Sequence, residues 1–161
     1  MMLRVTVICV GKLKERFFAD AIDEYIKRLG AYCVFRIIEL PEARLPASPS
    51  EKEIAAALSR EALDIQRHLP PRSYVVAMCV EGRQKSSEEL SALISQCAMD
   101  GYSGLCFLIG GSFGLAPEIK QLAALRLSMS KMTFPHHLAR VMLTEQIYRA
   151  FTIAEGSKYH K

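Results

Sequence analysis

The residues with the clearest capacity for chemistry stand near the carboxyl end of the chain. Glu145 and Arg149 lie four positions apart inside an apolar helical pattern, so they share one helix face with the acid on the favoured N-terminal side. Taken alone, such a pair is more typical of a structural ion pair. Beside a ligand-binding loop, Arg149 would instead offer a fixed cation to a phosphate or a carbonyl group. The tail that follows ends in Tyr159, His160 and Lys161, and a chain end of this kind is ordinarily disordered unless a ligand or a neighbour orders it.

A second candidate is the glycine-rich segment GGSFG at residues 110–114, directly after a predicted strand. Two adjacent glycines allow a flat ligand to lie against the backbone, but a tight turn with positive φ would need glycine equally, and both interpretations stay open. The spacing differs from the G-x-G-x-x-G dinucleotide fingerprint. No Asp or Glu lies between Glu118 and Glu145 to bind a ribose, so a nicotinamide-dinucleotide site is disfavoured.

The sequence contains no motif for metal, P-loop or nucleophilic-elbow chemistry. His136 and His137 are adjacent, and we expect them to point in different directions on a helix, so no metal is predicted. The five cysteines lack C-x-x-C spacing and lie in apolar runs, which is typical of buried free thiols in a reducing compartment. They are Cys9, Cys33, Cys79, Cys97 and Cys106.

The elements that must position these residues alternate along the chain. Apolar, often β-branched segments predict strands at residues 3–10, 33–40, 73–80, 105–109 and 125–128. Capping boxes are predicted at Ser50 with Glu53 and at Ser86 with Glu89, each opening a helix. The segment 73–80 is apolar on both faces, so we predict one α/β domain over residues 1–161 with a mostly parallel sheet and helices on both faces. Ligands bind at the carboxyl ends of such strands, at the loops 12–16, 81–85, 110–115 and 129–135.

Length and composition restrict the class of protein. The 161 residues suffice for one domain with a proper core, and half of them are hydrophobic. The sequence has no membrane-length apolar run and no signal-peptide pattern, so a cytoplasmic protein without a membrane partner is expected. The net charge of +4 permits an RNA partner without requiring one.

The segment after Pro135 has an unusual helical pattern, because large apolar residues occur on nearly all of its faces. A central core helix is one interpretation. The other is a partner subunit that covers the helix, since a chain of this length has little material to surround it, and this predicts a homodimer.

Five segments together resemble the family of the ribosomal RNA large subunit methyltransferase H, over essentially the whole chain. They are VGKLKE, IIELPE, IGGSFGL, SKMTFPHHLARVMLTEQIYRA and the terminal KYHK. The resemblance implies the SPOUT class, in which the C-terminal part of a parallel α/β sheet forms a deep trefoil knot and the protein is a homodimer. It further implies methyl transfer from S-adenosylmethionine to N3 of a pseudouridine in helix 69 of 23S rRNA, on the assembled ribosome.

The same resemblance implies where the cofactor binds. The corresponding positions are Met78, Gly110, Met129, Ser130, Lys131, Met132, Thr133 and Phe134. All of them fall at the loop mouths that the sheet prediction selects. Met78 stands where relatives usually carry Leu, and this exchange of similar volume still suits an adenine slot.

Methylation of an imide nitrogen requires that the base be positioned and its proton removed. Histidine ordinarily exchanges protons near neutral pH, so His160 is a candidate base, and Tyr159 is a candidate to orient or stack on the target. Alternatively both residues only shape the pocket while water takes the proton. We expect phosphate contacts from Lys12, Lys14, Arg16 and Lys158.

Two rival interpretations are a non-catalytic ribosome-associated factor and an NAD-linked enzyme. The first leaves the glycine loop and the SKMTFP segment without a role. The second lacks the acidic residue that would bind the ribose.

Overall fold

The structure is a computed structural model that describes residues 2–161, and five parallel strands form its sheet. The strands are β1 (Arg4–Val10), β2 (Val34–Leu40), β3 (Ser73–Gln84), β4 (Gly104–Ile109) and β5 (Leu125–Ser128). The helices are α1 (Arg16–Leu29), α2 (Glu51–His68), α3 (Ser87–Met99), α4 (Pro117–Leu122) and α5 (His136–Ala154). The strand order is β2-β1-β4-β3-β5, and every pairing is parallel. The predicted α/β architecture is therefore confirmed.

Helices cover both faces of the sheet, as the sequence predicts. Because side chains alternate along a strand, Val5 and Val7 point to one face while Ile8 points to the other. The first face packs against α1, α3 and α5, and the second packs against α2 and α4. Strands that are apolar on both sides are the consequence of this double coverage.

Local sequence signals fix two of the helix starts. The hydroxyl of Ser50 accepts a hydrogen bond from the Glu53 N–H, and the Glu53 carboxylate accepts one from the Ser50 N–H. Ser86 and Glu89 form the same pair of hydrogen bonds at the start of α3. Both predicted capping boxes are confirmed. Each box satisfies two backbone donors that a helix start otherwise leaves unpaired.

Strand β3 runs four residues beyond the predicted end at Val80. Its pairing with β5 breaks after Met78 and resumes at Arg83, with residues 79–82 bulging between them. A Cβ at Gly82 would overlap the backbone of Arg126, so the bulge needs a residue without a side chain here. The bulge brings residues 79–81 to the carboxyl end of the sheet, beside the cavity described below.

The apolar helix α5 packs between α1 and α3 over the sheet. Leu143, Ile147 and Ala150 are buried there, whereas Val141 and Met142 keep partial exposure. Two helices of the same chain thus cover much of the apolar surface of α5. The prediction of a partner subunit had assigned that cover to a second chain, because it expected too little material within one chain. Within residues 2–161, no helix has both the length and the apolarity to cross a lipid bilayer.

The side chain of Arg140 ties α5 to the carboxyl ends of β1 and β2. It is 1% exposed, its Nη1 lies 2.5 Å from Oε2 of Glu39, and its Nη2 donates to the Gly11 carbonyl at 3.0 Å. Glu39 Oε2 also accepts the Leu13 N–H at 3.0 Å. Burial by itself raises the pKa of Glu39, but the Leu13 N–H and the Arg140 guanidinium together hold it below its ordinary value.

Candidate functional site

A cavity of about 650 Å³ opens at the carboxyl ends of β3, β4 and β5. Its wall is formed by the bulge of β3, the glycine loop after β4 and the loop after β5. Parallel α/β sheets place their ligand sites at this edge, and the cavity lies at three of the loops that the sequence selects. The residues lining it include Met78, Gly110, Met129, Ser130, Met132, Thr133 and Phe134.

The glycine loop is shaped by its own backbone. A Cβ at Gly110 would overlap the carbonyl oxygen of Gly114, so Gly110 is required by a close backbone approach within the loop. Gly114 has φ +77, so the positive-φ interpretation holds for this residue. The loop is also tied to the end of β2, because the Ser112 N–H donates to Oε1 of Glu42 at 2.8 Å. The backbone therefore forms a preshaped wall of the cavity.

The loop after β5 is held by hydroxyl groups. The Ser128 hydroxyl donates to the Ser130 carbonyl at 2.8 Å, and the Ser130 Oγ accepts the Met132 N–H at 3.1 Å. Met132 is 72% exposed at the rim. Lys131 is exposed and does not line the cavity, unlike the other seven residues assigned to the cofactor by resemblance.

Charged and titratable groups are few at the cavity. Lys120 Nζ lies 2.5 Å from Oε1 of Glu81 at its mouth, and this ammonium lowers the pKa of the Glu81 carboxyl. Burial lowers the pKa of His136, so its imidazole is neutral at physiological pH. Burial raises the pKa of Cys79, which keeps the thiol protonated and a poor nucleophile. The cavity thus suits non-covalent binding of a ligand that has a flat apolar part, and the described residues that line it include no activated nucleophile for covalent catalysis.

The expectation that the two adjacent histidines diverge is wrong. The rings of His136 and His137 meet edge to face with centroids 4.2 Å apart. Their surroundings differ, since His136 lines the cavity and His137 Nδ1 lies 3.2 Å from Oε2 of Glu15. Among residues 2–161, no three His, Cys, Asp or Glu side chains are grouped to hold a metal ion.

The four predicted catalytic residues form one cluster on the outer side of α5. Arg149 binds Oε1 of Glu145 through Nε at 2.8 Å and through Nη2 at 2.7 Å, which is the predicted ion pair. The Tyr159 hydroxyl donates to the same carboxylate oxygen at 3.2 Å, and the Arg149 guanidinium lies 4.8 Å from the Tyr159 ring centroid. Burial, the Tyr25 hydroxyl and the Glu145 carboxylate raise the pKa of Tyr159 to about 12, so it acts as a neutral donor.

Both ring nitrogens of His160 are engaged within the chain. Nδ1 lies 3.1 Å from Nη1 of Arg149, and Nε2 lies 2.6 Å from Oε1 of Glu88 at the start of α3. The tail therefore folds back on its own chain, contrary to the expectation that a ligand or a neighbour must order it. In this arrangement neither nitrogen of His160 is open to accept a proton from a substrate.

The structure does not bring the two groups of predicted site residues together. The cavity holds the loop residues, whereas Glu145, Arg149, Tyr159 and His160 do not line it. The predicted phosphate-binding residues Lys12, Lys14, Arg16 and Lys158 are all exposed and thus accessible to a large partner.

Sequence reasoning missed three contributors. Glu88 contacts the tail, and Glu42 contacts the glycine loop. Lys120 lies at the mouth of the cavity. Glu42 lies within IIELPE, a segment that carries the family resemblance, but the resemblance implies no role for this carboxylate. Glu88 and Lys120 carry no local signal, because their partners are distant in sequence.

Comparison with known proteins identifies relatives of this chain. A family model described as "Predicted SPOUT methyltransferase" matches residues 3–160. The chain is 47% identical to the ribosomal RNA large subunit methyltransferase H of Streptococcus pyogenes, covering 99% of this chain and 100% of the relative. It is 46% identical to the protein of the same name from Clostridium novyi, with the same coverage.

A solved structure shares the fold at low sequence identity. The probable methyltransferase of Bordetella pertussis superposes with a TM-score of 0.58 at 16% identity, over 92% of this chain and 96% of that one. The match to the family model and the full-length relatives decide the family. The chain belongs to the SPOUT methyltransferases, and within them it groups with the ribosomal RNA large subunit methyltransferases H.

Proposed function

We propose that this protein transfers a methyl group from S-adenosylmethionine to N3 of a pseudouridine in helix 69 of 23S rRNA, within assembled ribosomes. The observation that carries the proposal is the cavity. Seven of the eight residues assigned to the cofactor by resemblance line it, in a chain 47% identical to rRNA methyltransferases over their full length. The specific base and nucleotide rest on the family resemblance alone.

The cavity fits the proposed cofactor. Met78, Ile109 and Leu127 offer apolar surface for an adenine, and the backbone at Gly110 and Gly111 offers a wall without side chains at those two positions. Bound there, S-adenosylmethionine would supply a methyl group on a sulfonium that is open to in-line attack.

The residues of the chain must then position the base and accommodate loss of its N3 proton. Arg149 is a fixed cation that can bind a carbonyl or phosphate oxygen, and Tyr159 offers an aromatic ring for orientation. His160 has both nitrogens occupied. We therefore favour the alternative in which the tail shapes the pocket and water takes the N3 proton.

The separation of the cavity and the tail cluster supports a composite site. We propose a homodimer in which one subunit holds the cofactor and its partner supplies Arg149, Tyr159 and His160. The partly exposed Val141 and Met142 of α5 are apolar surface that such a partner would cover.

Exposed basic residues support an RNA partner. Lys12 and Lys14 follow β1 at the carboxyl edge of the sheet, the edge that also carries the cavity. Phosphate contacts there would position the RNA without reading its sequence, and action on ribosomes implies a cytoplasmic enzyme.

Methyl transfer tests the proposal. Ribosomes from cells lacking this protein, free 23S rRNA from the same cells, and wild-type ribosomes are each incubated with enzyme and S-adenosylmethionine labelled in the methyl group. We expect label in the first sample, much less in the second and none in the third. Calorimetric titration with S-adenosylmethionine and with NADH identifies the cofactor. Binding of NADH instead of S-adenosylmethionine would favour the NAD-linked enzyme, and binding of neither would favour the non-catalytic factor.

A further inference from the structure

We propose that Glu88, at the start of α3, is a positioning residue that sets the tautomer and orientation of His160 and so holds the C-terminal tail ready for substrate. The inference rests on the proposed function, because the tail matters for catalysis only if methyl transfer occurs beside it. It adds a residue that neither the sequence motifs nor the family resemblance assign.

The hydrogen bonds around His160 determine its tautomer. A guanidinium has donors only, so Nδ1 of His160 must accept from Nη1 of Arg149 across 3.1 Å. In the neutral ring the proton then resides on Nε2. That N–H donates to Oε1 of Glu88 across 2.6 Å, which is a short, charge-assisted bond. Arg149 and Glu88 thus select one tautomer and one ring plane between them.

The backbone of Glu88 is held in place by the residues on either side of it. It occupies the second position of α3, between Ser86 and Glu89, whose reciprocal hydrogen bonds close the capping box. The backbone that carries the carboxylate is therefore fixed before the tail binds. Glu145 and Arg149 contact the tail from α5 and Tyr25 contacts it from α1, so Glu88 links the tail to a third helix.

The solvent exposure of Glu88 indicates that it positions the tail and does not stabilise the fold as a whole. The Glu88 side chain is 61% exposed, and ion pairs this exposed contribute little to folding stability. Removing the carboxylate should consequently leave the fold and the cavity intact. It should nevertheless free the His160 ring, because a chain end has few other constraints.

Three variants test the inference kinetically, with ribosomes from cells lacking this protein as substrate. Glu88→Ala removes the acceptor, Glu88→Gln keeps an oxygen that can accept from Nε2–H, and Glu51→Ala is a matched loss of an acid from the first turn of α2. We expect kcat to fall about tenfold or more in Glu88→Ala, because a displaced tail no longer holds the target base in the reactive orientation. The KM for S-adenosylmethionine should stay unchanged, and Glu88→Gln and Glu51→Ala should remain close to wild type.

A spectroscopic readout reports on the ring directly, without dependence on activity. The ¹⁵N chemical shifts of His160 distinguish a ring protonated at Nε2 from one protonated at Nδ1. Wild type should show the Nε2–H tautomer. Glu88→Ala should show a mixture of tautomers and faster hydrogen exchange in residues 157–161.

The outcomes separate this inference from the proposed function. A wild-type protein that methylates no ribosome overturns the function, whatever the ¹⁵N spectra show. An active wild type overturns the inference alone if Glu88→Ala keeps wild-type kcat, or loses kcat with unchanged His160 signals. A Glu88→Gln variant as impaired as Glu88→Ala would also contradict it, because the proposed role requires a hydrogen-bond acceptor and not a charge.

Discussion

Gly110 lies so close to Gly114 that a Cβ on the first would overlap the carbonyl oxygen of the second. A side chain at Gly110 must therefore move the loop itself, in addition to filling the cavity. We predict that Gly110→Val weakens S-adenosylmethionine binding by more than about tenfold, or ~1.4 kcal/mol, in calorimetry.

The control for this prediction is Gly30→Ala. Gly30 has φ −57 and only an ordinary contact beside its Cβ position, so alanine fits there. Unchanged affinity in Gly110→Val, with a normal melting temperature, would exclude the glycine loop from the cofactor site.

The pair of Glu39 with buried Arg140 predicts a pH dependence of stability. The pKa of Glu39 is lowered in the folded protein, so its carboxylate stabilises the fold above its ordinary value of 4.5. That contribution is lost as the pH falls through the lower folded pKa. In urea unfolding, Glu39→Gln should have a lower free energy of unfolding than wild type at neutral pH. On acidification, its free energy of unfolding should fall by less than that of wild type.

The exposed pair of Glu24 with Arg28 supplies the comparison, since both side chains are about half exposed at 54% and 41%. Glu24→Gln should leave the dependence of the free energy of unfolding on pH nearly the same as in wild type. If Glu39→Gln and wild type lost stability in parallel between neutral and acid pH, Arg140 would not depend on the Glu39 charge.

Capping boxes and strands could be predicted because their signals are local. Ser50 and Ser86 lie three residues from their partners, and apolar runs define β4 and β5. The end of β3 could not be predicted, because residues 81–84 are mostly polar and re-pair only after a bulge. The tail placement depends on partners 72 positions apart, His160 and Glu88, which no local pattern encodes. The trefoil knot stays a prediction from resemblance.

Ribosome binding should weaken as salt rises, because phosphate contacts release counterions. Lys12→Ala combined with Lys14→Ala should flatten the plot of log affinity against log salt by about one to two units of slope. Filter binding to ribosomes over a range of KCl concentrations measures this slope for wild type and for the double variant.

The matched control removes two exposed basic residues elsewhere. Lys27 and Arg67 lie in the last turns of α1 and α2, and they carry the same charge away from the carboxyl edge of the sheet. A salt slope equal for both double variants would mean that Lys12 and Lys14 make no specific phosphate contacts.

The composite site predicts complementation between inactive subunits. One variant lacks residues 157–161 and keeps its cavity, and the other carries Gly110→Val and keeps its tail. Each homodimer should be inactive, whereas reassorted mixtures should regain activity, since one heterodimer site joins an intact cavity to an intact tail.

Native mass spectrometry must show that heterodimers form in the mixture. Heterodimers that are present but as inactive as their parents would mean that the tail acts within its own subunit. Absence of any dimer at assay concentration would remove the composite site altogether.

Mass spectrometry of the helix 69 fragment of 23S rRNA shows directly whether this protein methylates N3 of a pseudouridine. Ribosomes from cells lacking this protein are treated with the purified enzyme and S-adenosylmethionine, and the fragment is sequenced by tandem mass spectrometry. We expect one added methyl group per fragment, on N3 of a pseudouridine, and none with Gly110→Val. A methyl group on any other nucleotide, or an unmodified fragment with active cofactor binding, would contradict it.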